Sequence, residues 1–403
     1  MMENRMKSMI SDRVKNSKDS LTLSLAEKAK TLRDAGESVI SFGTGEPDFT
    51  TPGYICDGAK KAIDAGYTKY DAVAGVLALR KAISKKLRDD NGLDYPPENI
   101  IVNSGAKSSI SVALQAILNP GDEVIIPRPY WVSYTEIIRF AGGVPVIAET
   151  QKEDNFKLTP DELIYAITPK TKAIILNTPV NPTGVIYTLD ELLALSEVLV
   201  RNKILVISDE IYEEFVYDNH KHISIASLNR EIKNQTILVN GFSKTYAMTG
   251  WRLGYAAANA EIIMGMTRVQ GHTISHPSTI SQHAGITALE EKSNTVDNII
   301  RMFDERRLAM IEYLNKIPEL DYIYPESTFY IFVDISNILN NRKNIINPDT
   351  SFGFSEKLLE VAKVIVIPGE AFGMPNYIRL SFATSLEDID EGFRRITQFI
   401  ERY

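Results

Sequence analysis

The chain has 403 residues, more than one hydrophobic core usually serves, so two domains are expected. With 44% hydrophobic and 24% charged residues, it has the composition of a globular protein rather than a disordered or fibrous one. The net charge of -8 argues against general binding to nucleic acids or anionic membranes, although a local basic pocket for a small anion stays compatible with it.

Cysteine content and hydropathy predict a cytoplasmic protein without a membrane segment. Cys56 is the single cysteine, so no internal disulfide can form and a reducing compartment is favoured. Residues 1–14 contain no apolar run of signal-peptide length, and the chain has no apolar span of about 18 residues. We therefore expect the protein to lie in the cytoplasm.

The N-terminal region is predicted to form helices joined by glycine-containing loops. Apolar residues at helical spacing predict helices over 21–33, 57–65 and 76–90. A short strand over 39–42 leads into the loop 43–49, whose glycines permit another group to approach the backbone closely. A plain turn between domains is the alternative interpretation of this loop.

The central region, 99–260, alternates short β-rich runs with helical stretches such as 108–118 and 189–201. This alternation predicts a mainly parallel sheet that is covered on both faces. Ligands bind beyond the carboxyl ends of the strands in such sheets, so the polar residues that follow the runs are expected to converge. The runs are 100–102, 123–126, 144–147, 173–176, 204–207 and 236–239.

The C-terminal region has an α+β pattern that ends in a helix. We therefore divide the chain into an N-terminal segment that belongs to a small domain (1–50), a large domain (51–297) and the C-terminal part of the small domain (298–403). The predicted helices cover 280–289, 298–314, 354–362 and 386–401, and strand-like runs cover 322–325, 329–333, 364–367 and 377–382.

The turn Ser104-Gly105-Ala106-Lys107 is suited to bind an anion. Small residues open a helix there and leave free backbone N–H groups and the positive end of the helix dipole for a phosphate. A nucleotide P-loop is excluded, because Ile101 and Ala106 occupy positions at which that motif needs glycine. An ordinary helix cap remains the alternative.

Four residues at strand ends form a candidate ring-binding set. Asp209 follows an apolar strand, where a carboxylate is costly unless a cation such as a protonated ring nitrogen partners it. Asn181 and Tyr212 can donate hydrogen bonds to a phenolic oxygen of that ring, and Trp131 can stack on its face. Each also has a structural interpretation: a turn for Asn181, a core position for Trp131 and a helix surface for Tyr212.

Lys244 completes this set as a candidate nucleophile. It follows Ser243 shortly after the run 236–239, and Arg252 lies eight residues further on. A single lysine is more commonly a solvated surface charge. Together with a ring binder and a phosphate turn, however, it describes a site for pyridoxal 5'-phosphate, in which the lysine forms a Schiff base.

Motifs spread over the whole chain have the order and spacing of one enzyme family. They are Gly45-Glu46-Pro47-Asp48-Phe49, Tyr130-Trp131-Val132-Ser133-Tyr134, Asn181-Pro182-Thr183-Gly184, Ser208-Asp209-Glu210-Ile211-Tyr212, Ser243-Lys244, Gly250-Trp251-Arg252-Leu253-Gly254-Tyr255 and Ile378-Arg379-Leu380-Ser381. On these motifs the chain resembles class I (fold type I) aminotransferases, and most closely their bacterial-type aspartate aminotransferase subgroup. The resemblance implies an α/β fold with a mainly parallel seven-stranded sheet in the large domain and a smaller α+β domain. Ala106 departs from the subgroup, in which a second glycine is common, but an added methyl group should leave the turn intact.

The resemblance implies a role for each site residue. Lys244 is implied to be the catalytic Schiff-base lysine, which also moves a proton between substrate and cofactor. Arg379 is implied to grip the substrate α-carboxylate in a bidentate pair, which lysine cannot copy, and Gly45 to lie in a loop that closes over it. No metal is implied. The implied cofactor contacts are Asp209 with the ring nitrogen, Asn181 and Tyr212 with the phenolic oxygen, Trp131 with the ring face, and Gly105, Ala106, Lys107, Ser243, Arg252 and the partner subunit's Tyr70 with the phosphate, with Trp131 and Asn181 also against the substrate.

The identity of the substrate depends on a second anchor. In this subgroup a lysine at the position of Lys107, helped by residues near Ser20, receives the distal carboxylate of aspartate or glutamate. The leading hypothesis is therefore ping-pong transfer of the amino group of L-aspartate to 2-oxoglutarate, giving oxaloacetate and L-glutamate. If Lys107 serves only the phosphate, alanine or aromatic amino acids become alternatives. Some relatives also accept prephenate, to which Lys18 is a candidate contributor.

Two other functions are compatible with the fold. A pyridoxal-phosphate-dependent lyase or decarboxylase would need Lys244, Asp209 and Arg379 as well, so the sequence discriminates poorly against it. A cofactor-sensing regulator fused to a DNA-binding domain is disfavoured, because the residues before Leu21 are too few for such a domain and the net charge is acidic.

Overall fold

Helices cover three sheets in this α/β fold. The computed structural model describes residues 9–15, 17, 21–291, 294–341 and 350–402. Its helices are α1 (Asp12–Lys15), α2 (Leu21–Asp34), α3 (Gly53–Asp64), α4 (Leu77–Asn91), α5 (Ala106–Ile117), α6 (Ser133–Phe140), α7 (Pro160–Ala166), α8 (Leu189–Asn202), α9 (Arg230–Gln235), α10 (Ala260–Thr273), α11 (Thr279–Glu290), α12 (Thr295–Leu314), α13 (Ser336–Asn341), α14 (Ser351–Ala362) and α15 (Leu386–Arg402). Its strands are β1 (Ile40–Ser41), β2 (Ile100–Asn103), β3 (Glu123–Pro127), β4 (Val144–Ala148), β5 (Thr171–Asn177), β6 (Leu205–Asp209), β7 (Thr236–Gly241), β8 (Gly254–Ala257), β9 (Asp321–Ile323), β10 (Tyr330–Asp334), β11 (Val364–Ile365), β12 (Ile367–Pro368) and β13 (Tyr377–Ser381).

The seven-stranded sheet has the order β2-β8-β7-β6-β5-β3-β4. Every neighbouring pair is parallel except the two that involve β8. The prediction of an α/β fold with a mainly parallel seven-stranded sheet is therefore confirmed. β8 has no counterpart among the six predicted runs, because Gly254-Tyr255-Ala256-Ala257 is rich in small residues with little strand preference.

Alternate residues of the central strands face opposite layers of helices. Ile174 of β5 belongs to a buried cluster with Leu192 of α8, whereas its neighbour Ile175 belongs to a cluster with Ile138 of α6. Both faces of the strand are thus apolar, which explains why the sequence shows a continuous apolar run there instead of alternation.

The register of the parallel strands brings polar residues to one edge of the sheet. Asn177 at the end of β5 is paired with Asp209 at the end of β6, and Asp209 is paired with Val239 of β7. The segments that carry Asn181, Tyr212 and Lys244 follow these strand ends. As expected for this architecture, the polar residues after the strands lie close together.

Two smaller sheets complete the fold, and one of them, formed by β1 and β11, joins the N-terminal segment to the C-terminal part of the chain. β12, β13, β10 and β9 form an antiparallel sheet in that order. The predicted single run 364–367 is wrong, because β11 pairs in parallel with β1 whereas β12 joins the antiparallel sheet. Ile40 thereby lies opposite Val364. The domain boundaries after residues 50 and 297 stay a prediction.

Helix α3 begins at Gly53, earlier than the predicted start at 57. Pro52, with φ of -52°, precedes the first turn and is preorganised for it. Ile55 and Ala59 are buried on the inner face of this helix, so packing supports the additional turn.

The packing of the last helix against the N-terminal segment generates a stability prediction. A Cβ atom added to Gly392 in α15 would lie 2.4 Å from Cζ of Phe42, a fully buried ring. We expect Gly392→Ala to lower the free energy of unfolding by about 1–3 kcal/mol, since overpacking outweighs the better helix propensity of alanine. Chemical denaturation of the two proteins measures this difference.

Gly265→Ala in α10 is the matched control. Its Cβ atom would meet Cβ of Ala116 at 3.6 Å, an ordinary contact, so the substitution should raise the free energy of unfolding by about 0.5–1 kcal/mol. Equal effects of the two substitutions would contradict the packing argument.

Candidate active site

A cavity of about 660 Å³ lies where the carboxyl ends of the central strands meet β10 and β13. The structure brings most of the predicted site residues together around it. Those that line the cavity are Gly45, Ala106, Lys107, Trp131, Asn181, Asp209, Tyr212, Ser243, Lys244, Arg252 and Arg379. Gly105 lies directly behind Arg252, because a Cβ atom at Gly105 would be only 2.7 Å from Nη2 of that arginine.

The turn before α5 forms one end of the cavity. Gly105 adopts φ of +86°, a left-handed conformation that suits glycine, and no side chain caps the helix that begins at Ala106. A Cβ atom at Gly254 would lie 2.5 Å from the backbone nitrogen of Ala106, so the neighbouring strand also requires glycine. Uncapped N–H groups beside the Arg252 guanidinium give this end of the cavity the character of an anion site.

Asp209 forms the bottom of the cavity and is almost completely buried. Its Oδ2 accepts a 2.6 Å hydrogen bond from the Tyr134 hydroxyl, and its Oδ1 accepts a 3.4 Å bond from the Ile211 backbone nitrogen. Burial raises the pKa of Asp209 to about 6, although both hydrogen bonds oppose the shift. The protein therefore holds this carboxylate in an environment that favours a cationic partner.

Arg379 connects the two large sheets at the cavity wall. Its Nη1 donates to Oδ1 of Asn181 at 3.1 Å, and its Nη2 donates to the carbonyl oxygen of Gly43 at 3.2 Å. The buried Nε finds no partner among the described residues. Burial lowers the pKa of Arg379 from its ordinary value. A buried guanidinium with an unpartnered N–H is suited to receive an anion.

Tyr212 and Tyr330 lie next to the Arg379 side chain. The Tyr212 and Tyr330 hydroxyls are 3.0 Å apart, and the Arg379 guanidinium lies 4.1 Å from the centroid of the Tyr330 ring. Burial raises the pKa of both phenols, so they stay neutral and able to donate hydrogen bonds. This gives the wall between Asp209 and Arg379 donors for a neutral or anionic oxygen.

Lys244 projects into the middle of the cavity. Its Nζ donates to the carbonyl oxygen of Gly45 and lies 5.8 Å from the ring centroids of both Tyr212 and Phe329. Burial, followed by the positive charge of Arg379, lowers the pKa of Lys244 to about 8. An amine that loses its proton this readily is suited to act as a nucleophile and as a proton carrier.

Lys107 lies at the aromatic side of the cavity. Its Nζ is 4.6 Å from the centroid of the Trp131 ring, a cation–π contact. Burial and the nearby Arg252 lower the pKa of Lys107. Two cations close together at this position attract an anion to the space between them.

One predicted site residue and one predicted region lie apart from the cavity. Tyr70 is 90% exposed and packs edge to face on His276, with ring centroids 5.8 Å apart. It does not line the cavity of its own chain. Lys18 and Ser20, predicted near the substrate, lie outside the described residues.

Sequence reasoning assigned no role to two residues that the structure places at the site. Tyr134 is part of a quoted motif, but its hydrogen bond to Asp209 joins α6 to the end of β6, two elements that are remote in sequence. Tyr330 lies in a run interpreted only as a strand. A hydroxyl in a buried apolar run needs a hydrogen-bond partner. This requirement is the feature of the sequence that indicates a polar contact for Tyr330.

A buried polar cluster outside the cavity has the geometry of a metal site. Ligand atoms of Glu210, Glu213 and His222 all lie within 4.8 Å of one another. However, His222 Nε2 is already 3.0 Å from a Glu210 oxygen, and Lys86 forms a salt bridge with Glu213. Because this ammonium group disfavours a second cation, we assign the cluster a structural role. The expectation that no metal takes part in function stays a prediction.

In the described part of the chain, no helix combines the length and the apolarity needed to cross a membrane.

The raised pKa of Asp209 predicts a stability gain on neutralisation. Because the folded state holds this proton more tightly than the unfolded state, the contribution of Asp209 to stability falls as the pH rises through about 6. In the cofactor-free protein, Asp209→Asn should raise the free energy of unfolding by about 2–3 kcal/mol at neutral pH or above, and by nothing below pH ~4. Denaturation curves over this pH range measure the gain.

Asp94→Asn, which alters an exposed carboxylate, is the control and should leave the pH dependence unchanged. A stability gain for Asp209→Asn that is the same at every pH would contradict the assignment of the effect to ionisation.

Known proteins are similar to this chain over nearly its whole length. The model of the family described as aminotransferase class I and II matches residues 37–396. The chain is 45% identical to aspartate aminotransferase of Bacillus sp. (strain YM-2), over 98% of this chain and 100% of that protein. It is 43% identical to the probable aspartate/prephenate aminotransferase of Aquifex aeolicus (strain VF5), over 98% and 100% of the two chains. The crystal structure of an aspartate aminotransferase from Rhizobium meliloti is similar with a TM-score of 0.93 and 39% identity, covering 98% of this chain and 99% of that chain. The chain belongs to the aminotransferase class I and II family.

Proposed function

We propose that this protein transfers the amino group of L-aspartate to 2-oxoglutarate by a ping-pong reaction with pyridoxal 5'-phosphate held on Lys244. The observation that carries the proposal is the position of Lys244 in one cavity between a buried carboxylate, Asp209, and a buried guanidinium, Arg379. The names of the relatives support the choice of aspartate.

The residues around the cavity fit this cofactor. The uncapped turn at Gly105 and Ala106, with Ser243 and Arg252, would hold the phosphate. Asp209 would pair with the protonated ring nitrogen. This pairing would offset the free-energy cost of burying the carboxylate. When bound, the cofactor supplies an electron sink for the bond to the substrate Cα. The remaining contacts are those of Asn181 and Tyr212 with the phenolic oxygen and of Trp131 with the ring face.

Arg379 would bind the α-carboxylate of the substrate. Among the described residues, its Nε has no partner and its Nη2 has the backbone carbonyl of Gly43 as acceptor. A carboxylate that replaces this carbonyl would form charge-assisted hydrogen bonds in a planar pair. The loop that contains Gly43 and Gly45 would then move with substrate binding, which excludes water from the reacting centre.

Lys244 would move the proton between the substrate and the cofactor. Its pKa of about 8 allows the side chain to accept and release a proton near neutral pH. The carbonyl of Gly45 accepts a hydrogen bond from Nζ and holds the amine inside the cavity. An aminotransferase rather than a lyase is favoured by the family match and by the names of the relatives.

Lys107 would select substrates with a second carboxylate. Its contact with Trp131 keeps the ammonium group at the cavity wall. Prephenate is a second candidate substrate, and the observation that favours it is the name of the relative from Aquifex aeolicus.

We further propose a cytoplasmic homodimer in which two chains share their active sites. Tyr70 is 90% exposed, and Ile63 and Tyr67 nearby are about half exposed, a surface that a second copy would cover. Tyr70 would then reach the phosphate of the neighbouring site. The proposal agrees with its position outside the cavity of its own chain.

The proposed reaction predicts that one substrate alone changes the cofactor. With L-aspartate and no acceptor, the cofactor absorbance should shift and about one oxaloacetate should form per site, because the ping-pong cycle stops at its midpoint. Adding 2-oxoglutarate should restore the original spectrum. Lys244→Ala should slow this half-reaction at least about a hundredfold, since it lacks the proton carrier. Release of ammonia or carbon dioxide instead of oxaloacetate would contradict the proposal.

The Lys244→Ala variant also tests whether the two chains of the proposed dimer share their active sites. Lys244→Ala and Tyr70→Ala chains, each impaired alone, should regain activity when they are refolded together, because a mixed dimer holds one site with both residues intact. Mixtures that stay at the sum of the separate activities would contradict a shared site.

Substitution of Lys107 predicts a loss that is confined to dicarboxylic substrates. Lys107→Gln should lower kcat/KM about 10- to 100-fold for aspartate and leave alanine nearly unaffected, since a hydrogen bond to a charged group contributes about 1.5–3 kcal/mol. Arg379→Lys is the matched control and should impair both substrates, because every amino acid carries an α-carboxylate. Equal losses for aspartate and alanine in Lys107→Gln would show that Lys107 serves only the phosphate.

A further inference from the structure

Glu46 is exposed and lines the cavity. Among the described residues that line the cavity, Glu46 and Asp209 are the two carboxylates, and they approach Lys244 from different elements. Asp209 ends β6, whereas Glu46 lies in the loop between β1 and α3. The proposed reaction uses Asp209 but gives Glu46 no role.

A hydrogen bond joins Glu46 to the segment that follows Lys244. Its Oε2 accepts a 2.6 Å hydrogen bond from the Thr249 hydroxyl. The carbonyl oxygen of Thr249 in turn accepts a 2.8 Å bond from Nη1 of Arg252, the arginine at the phosphate end of the cavity. The carboxylate thus connects the loop on the substrate side to the segment on the cofactor side.

This connection determines where the neighbouring carbonyl lies. Gly45 directly precedes Glu46, and its carbonyl oxygen accepts the hydrogen bond from Lys244 Nζ. Gly45 and Glu46 are exposed, and the next side-chain ion pair along the loop is that of Asp48 with Arg306, two residues beyond Glu46. Loss of the bond to Thr249 would therefore allow the Gly45 carbonyl to move away from the lysine.

The negative charge of Glu46 also affects the protonation of Lys244. The positive charges of Arg379 and Arg252 disfavour the protonated form of Lys244, whereas the negative charges of Glu46 and Asp209 favour it. The neighbouring Tyr212 and Tyr330 are neutral phenols. If the cofactor ring nitrogen pairs with Asp209, Glu46 becomes the carboxylate that is free to act on the lysine nitrogen.

We propose that Glu46 is a positioning residue for Lys244, which holds the Gly45 carbonyl against the lysine nitrogen through Thr249 and supplies the negative charge that keeps a proton on that nitrogen. This inference rests on the proposed function, because it concerns the proton that Lys244 carries in that reaction. Glu46 itself contacts neither substrate nor cofactor in this role.

The test is a pH titration of the cofactor-loaded enzyme, followed by the absorbance of the cofactor bonded to Lys244. Glu46→Gln removes the charge but keeps an acceptor for Thr249, whereas Thr249→Ala removes the hydrogen bond but keeps the charge. Both should lower the midpoint of the titration, Glu46→Gln by a change of about threefold to tenfold in proton affinity. Thr249→Ser keeps the hydroxyl group and should retain the midpoint of the parent enzyme.

An unchanged midpoint in Glu46→Gln would overturn the electrostatic role, and an unchanged midpoint in Thr249→Ala would overturn the positioning role. A parent enzyme that shows no cofactor band dependent on Lys244 would refute the proposed function itself. Because that result comes from the parent enzyme and the others come from the variants, the two failures are distinguishable.

Discussion

The burial of the Asp209 carboxylate is the constraint on which the rest of the site depends. A strand packed on both faces carries this side chain to the bottom of the cavity, where water is excluded and ionisation is costly. Two hydrogen bonds, from Tyr134 and Ile211, compensate only in part, since the pKa stays raised at about 6. The folded protein therefore carries an electrostatic cost that a bound cation removes. A protonated ring nitrogen is such a cation, so removal of this cost would contribute to the affinity for the proposed cofactor.

The same strand order explains how much of the site was predictable from sequence. Asn181, Asp209 and Lys244 were expected to converge because they follow apolar strands, and the carboxyl ends of parallel strands meet at one edge. Other features depend on partners that are remote in sequence. The run 364–367 forms two strands, because β11 pairs with β1 and β12 pairs with β13. The Tyr330 hydroxyl belongs to the site because it lies within hydrogen-bond distance of the Tyr212 hydroxyl. Local periodicity contains no information about such partners.

Arg379 also joins separate parts of the chain by hydrogen bonds at the cavity. It extends from β13 of the antiparallel sheet, yet its guanidinium bonds to Asn181 beyond β5 and to the backbone of Gly43 in the N-terminal segment. Three remote parts of the chain thus meet at one cation. Because each bond uses an acceptor that a carboxylate can replace, binding of an anion at Arg379 exchanges contacts between these parts of the chain for contacts to the ligand. In the proposed function, substrate binding would thereby be coupled to the position of the loop that contains Gly45.

Charge balance within the cavity provides a physical reason for the second carboxylate of the substrate. In the part of the chain that the structure describes, five cationic side chains and two carboxylates, Glu46 and Asp209, line the cavity. The cations are Arg33, Lys107, Lys244, Arg252 and Arg379. In the proposed complex, a bound phosphate would compensate charge at the Arg252 end, and an α-carboxylate would compensate Arg379. Lys107 then remains beside Trp131, where the ring attracts the ammonium group but leaves its net charge in place. A substrate with a distal carboxylate completes the balance, whereas an uncharged side chain leaves Lys107 partly desolvated without an anion. Charge balance in the cavity, rather than its shape, thus supports the proposed selectivity for dicarboxylic acids.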